Sequence, residues 1–323
     1  MKSAADLCSQ ASHIVISGHL RADGDCLGAA IVLTHALRLL DKRVTILLPD
    51  SPDPRYGFLK EQTPWELWSG DLPAADLFIL CDCNTLSRLG EMGGAVADSS
   101  LPLLVLDHHP LSDDSPVWNA KVHDQTAAAS GLLAVEFADY LGVPLPKESL
   151  EAAFVALMTD TGWLKYSNAD ARAFSMAARL VEEGVNVDAC YQKVYQQVEQ
   201  GRPLGIATAL KNVEYLEGGK IAFTSVTDAD LSAAHAELQD TDEIMDILRA
   251  VHSVEVVALL TERKGEPKLS LRSKSWVDVN QLARGLGGGG HARAAGATLA
   301  GKSFAEALVD VREALLHAVQ SSL

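Results

Sequence analysis

Long apolar runs, paired cysteines and positive charge are all scarce in this 323-residue sequence, and each shortage removes a class of protein. No window holds the roughly 18 uninterrupted apolar residues that a membrane-spanning helix needs. The opening MKSAADLCSQASH has no apolar stretch of the kind that marks a secretory leader. Five cysteines, an odd number, include no C-x-x-C pair. That is the usage of a reducing compartment, with thiols serving as small apolar fillers. A cytoplasmic protein with no membrane attachment is therefore expected. Basic residues number 27 against 43 acidic ones, for a formal charge of −16. Such a chain is a poor match for long duplex nucleic acid, whose non-specific affinity comes from Lys and Arg neutralising phosphates. What is plentiful is Ala and Leu, within a hydrophobic fraction of 48%. This fits a globular enzyme, and the length calls for two domains.

The positive charge that exists is concentrated. Between Thr261 and Ala300 stand seven basic residues (Arg263, Lys264, Lys268, Arg272, Lys274, Arg284, Arg293) and three acidic ones (Glu262, Glu266, Asp278). That window is +4 and the remainder of the chain −20. A small anion could be held there while long polymers are repelled elsewhere; a solvated hairpin would give the same count.

The N-terminal half reads as a doubly wound α/β domain. HIVIS (His13–Ser17), VTILL (Val44–Leu48), LFILC (Leu77–Cys81) and LLVL (Leu103–Leu106) are continuous apolar runs, as expected of strands covered on both faces of a parallel sheet. GAAIVLTHALRLL (Gly28–Leu40) has the period of a helix between them. Ligands in such sheets gather beyond the carboxyl ends of the strands. There the sequence places His19, Asp23 and Asp25 (GHLRADGD), then Asp82, then Asp107, His108 and His109, and finally Asp160 after the apolar segment LEAAFVALM. One such residue is ordinarily a cap or a loop residue. Four clusters at one edge are different, because crowded carboxylates repel one another unless a cation lies between them. Two imidazoles and at least four acids suit hard to borderline divalent ions such as Mn²⁺, and are enough for two ions sharing a carboxylate.

These four ordered motifs resemble those of the DHH phosphoesterase family, whose Asp-His-His triplet stands here at Asp107–His109. The resemblance covers essentially the whole chain. Arg21-Ala22 stand where a proline often precedes the first Asp, and Ala129-Ser130-Gly131 where relatives often carry Ser-Thr. The resemblance implies two divalent metal ions, Mn²⁺ expected, with His19 and Asp23 on one, Asp25, His108 and Asp160 on the other, and Asp82 between them. A water between two such ions becomes hydroxide near neutral pH, poised to attack phosphorus. It further implies that His109 contacts the phosphate and assists the leaving oxygen, while Asp107 orients an imidazole.

A second unusual stretch is GLGGGGHARAAG, Gly285–Gly296. Its G-x-G-x-x-G is not a dinucleotide fingerprint, because WVDVNQLARGL before it reads as a helix and no acid follows at the required distance. Successive glycines instead offer bare backbone to an anion or a base. The stretch resembles the GGGH motif of the DHH-associated C-terminal domain. The resemblance implies that Gly288, Gly289, Gly290 and His291 bind nucleotide and that Arg272 grips a phosphate. The domain reads as smaller and α+β: hairpins over 213–226 and 254–273, the second turning near Lys264-Gly265, a helix over 240–252 and a closing helix over 304–319. The expected division is 1–190 catalytic domain, 191–211 Gln-rich linker and 212–323 substrate-binding domain, with substrate between the two lobes.

Within the family, a chain of only these two domains resembles the bifunctional oligoribonuclease and 3′-phosphoadenosine 5′-phosphate phosphatase group. Its expected partners are short RNA and nucleotides. Hydrolysis of linear or cyclic dinucleotides is the nearest alternative. A RecJ-like single-strand exonuclease is disfavoured by charge, and a manganese pyrophosphatase by GGGH. A non-catalytic nucleotide sensor is disfavoured by the complete ligand set.

Overall fold

The computed structural model describes residues 1–111, 118–236, 242–263 and 265–321. The chain divides between Gln197 and Val198 into two units. The first is built on six parallel strands, β1 (His13–Ser17), β2 (Arg43–Leu48), β3 (Glu66–Leu67), β4 (Leu77–Cys81), β5 (Leu103–Asp107) and β6 (Ala120–His123), in the order β3-β2-β1-β4-β5-β6. Both faces of the sheet are covered, which is why its strands are continuously apolar. Leu77, Ile79 and Cys81 of β4 point into one core and Phe78 and Leu80 into another. Helices α1 (Lys2–Gln10), α2 (Gly24–Arg38), α3 (Gly57–Gln62), α4 (Glu91–Asp98), α5 (Ser130–Leu141), α6 (Lys147–Asp160), α7 (Ala171–Glu182) and α8 (Val187–Tyr195) complete the unit. From β1 the order runs outward in both directions, so the crevice between the carboxyl ends of β1 and β4 is a topological switch point.

The doubly wound parallel sheet is as expected; some boundaries differ. Helix α2 starts at Gly24 rather than Gly28, because the Asp23 carboxylate caps it, accepting from the N–H groups of Asp25 and Cys26 at 3.1 Å. The short strands β3 and β6 carry too few residues to leave a pattern. The stretch 191–211, expected as a linker, is mostly helical: it holds the end of α8 and all of α9 (Gly201–Lys211). Pro203 lies in the first turn of α9, where a missing N–H breaks no helical bond.

The second unit is a mixed sheet of β7 (Glu214–Leu216), β8 (Ile221–Val226), β9 (Val256–Arg263), β10 (Glu266–Ser273), β11 (Gly289–His291) and β12 (Ala294–Thr298), ordered β11-β12-β10-β9-β8-β7. Only β8 and β9 pair in parallel. Around it lie α10 (Asp228–Ala233), α11 (Asp242–Arg249), α12 (Val279–Gly285) and α13 (Phe304–Ser321). Both expected hairpins form; Lys264, in the turn of the second, lies outside the described residues, as do 240–241 at the start of the expected helix. Of the glycine run, Gly289 and Gly290 lie in the edge strand β11. Helix α12 begins later than WVDVNQLARGL suggested, because Asp278 caps it through the N–H of Asn280 at 2.9 Å. No helix among the described residues is long and apolar enough to cross a membrane.

Candidate metal centre

The loop after β1 carries the first cluster and is held firmly. Its Leu20 N–H donates to the carbonyl of Arg88 and its Arg21 N–H to Asp50, each at 2.7 Å. Asp23 ends the loop as the cap of α2, and Asp25 lies in the first turn of that helix. Across the switch point, Asp82 follows β4 with a φ of +56°, a conformation that costs Asp less than most residues. Its N–H is fixed by the Leu106 carbonyl at 2.9 Å.

Two histidines face these acids in one tautomer each. His19 Nδ1 lies 2.8 Å from the Leu20 carbonyl, and His108 Nδ1 3.0 Å from the Ala127 carbonyl. A carbonyl can only accept, so both Nδ1 atoms carry hydrogen, and each ring in its neutral form directs an Nε2 lone pair into the site. His19 Nε2 sits 3.3 Å from Asp82 Oδ2 and 3.8 Å from Asp23. His108 Nε2 sits 3.6 Å from Asp25, 3.6 Å from Asp82 Oδ1 and 3.8 Å from Asp160. Both Nε2 atoms are buried without a hydrogen-bond partner among the described residues. Lone pairs aimed at carboxylates in a dry pocket repel; a divalent cation between them is the group the donors fit. Two triplets, His19–Asp23–Asp82 and Asp25–His108–Asp160, each have ligand atoms within 4.8 Å of one another. Asp82 offers one oxygen to His19 and the other to His108.

The ligand positions are themselves fixed by hydrogen bonds. Asp25 accepts from the N–H groups of Ser130 and Gly131 at 2.7 Å, capping α5, whose own cap position is Ala129. Ser130 Oγ donates to Asp82 Oδ1 at 2.8 Å. Asp160 ends α6 and accepts from Asn168 at 3.3 Å. Asp107 is fully buried; one of its oxygens lies 2.8 Å from His109 Nδ1 and the other accepts from Asn84 at 2.6 Å. His109 thus spends Nδ1 on Asp107, unlike His19 and His108, and its ring is two-fifths exposed.

The electrostatics agree with a site made for cations. Burial and the neighbouring Asp82 push the carboxyls of Asp23 and Asp25 above the usual range. Burial raises Asp160 to about 6. For Asp82, burial opposes ionisation, but the neighbouring rings of His19, His109 and His108 outweigh it and hold the group low.

All eight residues read from the sequence here, Asp107 and His109 included, come to one edge. Ser130, Asn84, Asn168 and Arg88 were missed. Only Ser130 had a signal, standing before an apolar run as helix caps do. Arg88 brings a cation close: its Nη1 is 3.5 Å from the Asp82 carbonyl, and its charge is felt at His109. In the second unit, Arg272 and His291 both pair with Ala294. They therefore share one face of the sheet at two strand spacings, about 9.6 Å apart, with Ala294 as the floor and Gly288–Gly290 alongside.

Residues 13–157 match the family model described as DHH family, N-terminal domain, and residues 218–320 that of the DHHA1 domain. The chain is 28% identical over 304 residues to the bifunctional oligoribonuclease and PAP phosphatase NrnA of Thermus thermophilus, covering 94% of this chain and 89% of that one. Its fold is similar to that of an exopolyphosphatase-related protein from Bacteroides fragilis, with a TM-score of 0.87 at 24% identity over 98% of this chain and 95% of that one. It is more distantly similar to the exonuclease RecJ bound to manganese, with a TM-score of 0.52 at 16% identity over 97% and 94% of the two chains.

Proposed function

From the premise that the chain belongs to the DHH family and carries a C-terminal DHHA1 domain, we propose that it hydrolyses very short oligoribonucleotides to 5′-mononucleotides and dephosphorylates 3′-phosphoadenosine 5′-phosphate, using two Mn²⁺ ions. The observation that carries this reading is Asp82, which offers one oxygen to each of two ligand groups. His19 and Asp23 would hold one ion, Asp25, His108 and Asp160 the other, with Asp82 shared. Ions held there acidify water and neutralise phosphate charge.

The remaining residues position and exchange protons. Asp107 fixes His109 through Nδ1, which leaves Nε2 to protonate the departing oxygen. Arg88 grips a phosphate oxygen, and the second domain holds the nucleotide through Arg272, Gly288–Gly290 and His291. Preference for short substrates follows from charge: a body of −20 repels long polymers, while the window at +4 retains a small anion. The five cysteines are free and buried, in keeping with a reducing cytoplasm.

The test is a Mn²⁺-dependent time course on 5′-labelled RNA of two to about twenty nucleotides, with adenosine 3′,5′-bisphosphate in parallel and an Asp82→Ala/His108→Ala variant as blank. Fast loss of the shortest species and release of phosphate are expected, both abolished in the variant. Equal degradation of twenty-mers and dimers would contradict the short-substrate reading and favour an exonuclease.

A further inference from the structure

The glycines of β11 and its approach do not share one reason for being glycine. A side-chain carbon at Gly288 would run into the Gly296 carbonyl and approach Ala297 Cα to 2.6 Å. At Gly290, with φ +147°, it would meet the Ala294 carbonyl at 2.5 Å and Ala295 Cα at 2.6 Å. The sheet imposes those two. At Gly289 the backbone is outside the left-handed region, and the only described atom within 4 Å of such a carbon is Asn280 Oδ1, at 3.9 Å. The fold has room for a side chain there and places none.

Asn280 Oδ1 is itself anomalous. It is buried and accepts no hydrogen bond from the described residues, and an acceptor shielded from water without a donor is a standing cost to the fold. Helix α12 gains nothing from it, since Asp278 already caps that end through the N–H groups of Asn280 and Gln281. A vacant backbone position and an unmatched acceptor therefore stand side by side. By register, Gly289 lies in the row Ser270–Gly296–Gly289, on the same face as the row Arg272–Ala294–His291. The floor between the charged pair thus continues as small residues as far as this spot.

We propose that Asn280 is a specificity-determining residue, its Oδ1 accepting an N–H or O–H from the nucleoside part of the substrate that lies over Gly289. The donor is an amino group of the base or a hydroxyl of the ribose. The inference rests on the reading that the second domain binds the nucleotide, and it names the residue that discriminates among nucleotides. The glycine lets the sugar or base approach closely enough for the acceptor to be met.

The full-length protein with Mn²⁺ is assayed on ApA, its deoxy counterpart dApdA and its inosine counterpart IpI, alongside thermal melting. Asn280→Leu replaces the amide by an apolar group of similar size. It is expected to melt no lower than wild type, to raise KM for ApA roughly two- to twelvefold by loss of one hydrogen bond, and to leave kcat within about twofold. Whichever discrimination wild type shows, against dApdA or against IpI, disappears in this variant and so identifies the ribose or the base as donor. Gly289→Ala is expected to raise KM about tenfold or more at unchanged melting temperature, whereas Gly288→Ala loses stability. If wild type cuts ApA and both variants keep its KM on all three substrates, this role of Asn280 is refuted. If wild type cuts none of the three, the phosphoesterase reading falls and this inference with it.

Discussion

Without metal, the first domain should lose stability as pH rises from 5 to 7.5. Asp160 is raised to about 6 from 3.8, so the metal-free folded state prefers it protonated. A shift of about 2.2 units corresponds to about 3 kcal/mol. The sign follows from proton binding: this stabilisation is complete below the unfolded pKa near 4 and is lost as pH rises through 6. At pH 5 about 1.4 kcal/mol of it survives and at pH 7.5 almost none. For a unit of 197 residues that is a fall in melting temperature of about 3–6 °C between pH 5 and 7.5. Asp23 and Asp25, shifted in the same direction, add to it. The assay is a thermal melt in EDTA across this range, repeated with saturating Mn²⁺, and with Asp160→Asn. Mn²⁺ should remove the fall, because a cation among the acids favours their charged forms, and Asp160→Asn should shrink it. A metal-free melting temperature that stays flat or climbs from pH 5 to 7.5 would refute the claim that these carboxylates are strained without a cation.

Other changes should separate positioning from ligation. Asp107→Asn should lower kcat about 100-fold or more by releasing His109, while Mn²⁺ affinity measured by calorimetry stays unchanged, since Asp107 touches neither orphaned Nε2. Arg88→Ala should raise KM for short RNA roughly ten- to hundredfold and flatten the salt dependence of KM. In the second domain, Glu255 accepts from the N–H groups of Ser275, Trp276 and Val277 at 2.7 to 3.1 Å, bonds that hold its carboxyl below the usual range against the cost of burial. Its stabilisation is present above about pH 4.3 and lost as pH falls below that. Glu255→Gln should therefore lower the melting temperature at pH 7, and by less at pH 3.5.

The sheet could be read from the chain because its strands are apolar on both faces, and several short apolar, β-branched runs such as LFILC recur between helical stretches, as buried parallel strands do. The candidate ligands could be read because each stands at the terminus of such a strand or of a helix. Less visible were the groups that hold the ligands. Asn168 meets Asp160 only because three successive residues after it, Gly162, Trp163 and Leu164, take positive φ and turn the chain back. Nothing in TDTGWLKYSN announces two non-glycine residues in that conformation. Arg88 lies within a short 3₁₀ turn, Leu86–Leu89, too brief to leave a pattern, and Asn280 looks like any polar residue at a helix start. The division between the two units falls within 191–211, but the helices there went unread because polar glutamines drew more weight than the helix-forming LGIATALK beside them.

Helices α2 and α5 meet α6 through glycines. A methyl group at Gly28 would strike Ala156 at 2.7 Å; one at Gly131 would overlap the same Ala156 and crowd Asp25 Oδ1 to 3.4 Å; one at Gly24 would meet Thr159 Oγ1 at 2.5 Å. Asp25 and Asp160 ride on the ends of these helices. In a population of random variants, then, inactive alleles should cluster along this seam as well as at the ligands themselves. Many would encode a well-made protein whose two carboxylates have been prised a fraction of an ångström too far apart. Heredity would record the seam as part of the active centre, although no substrate ever reaches it.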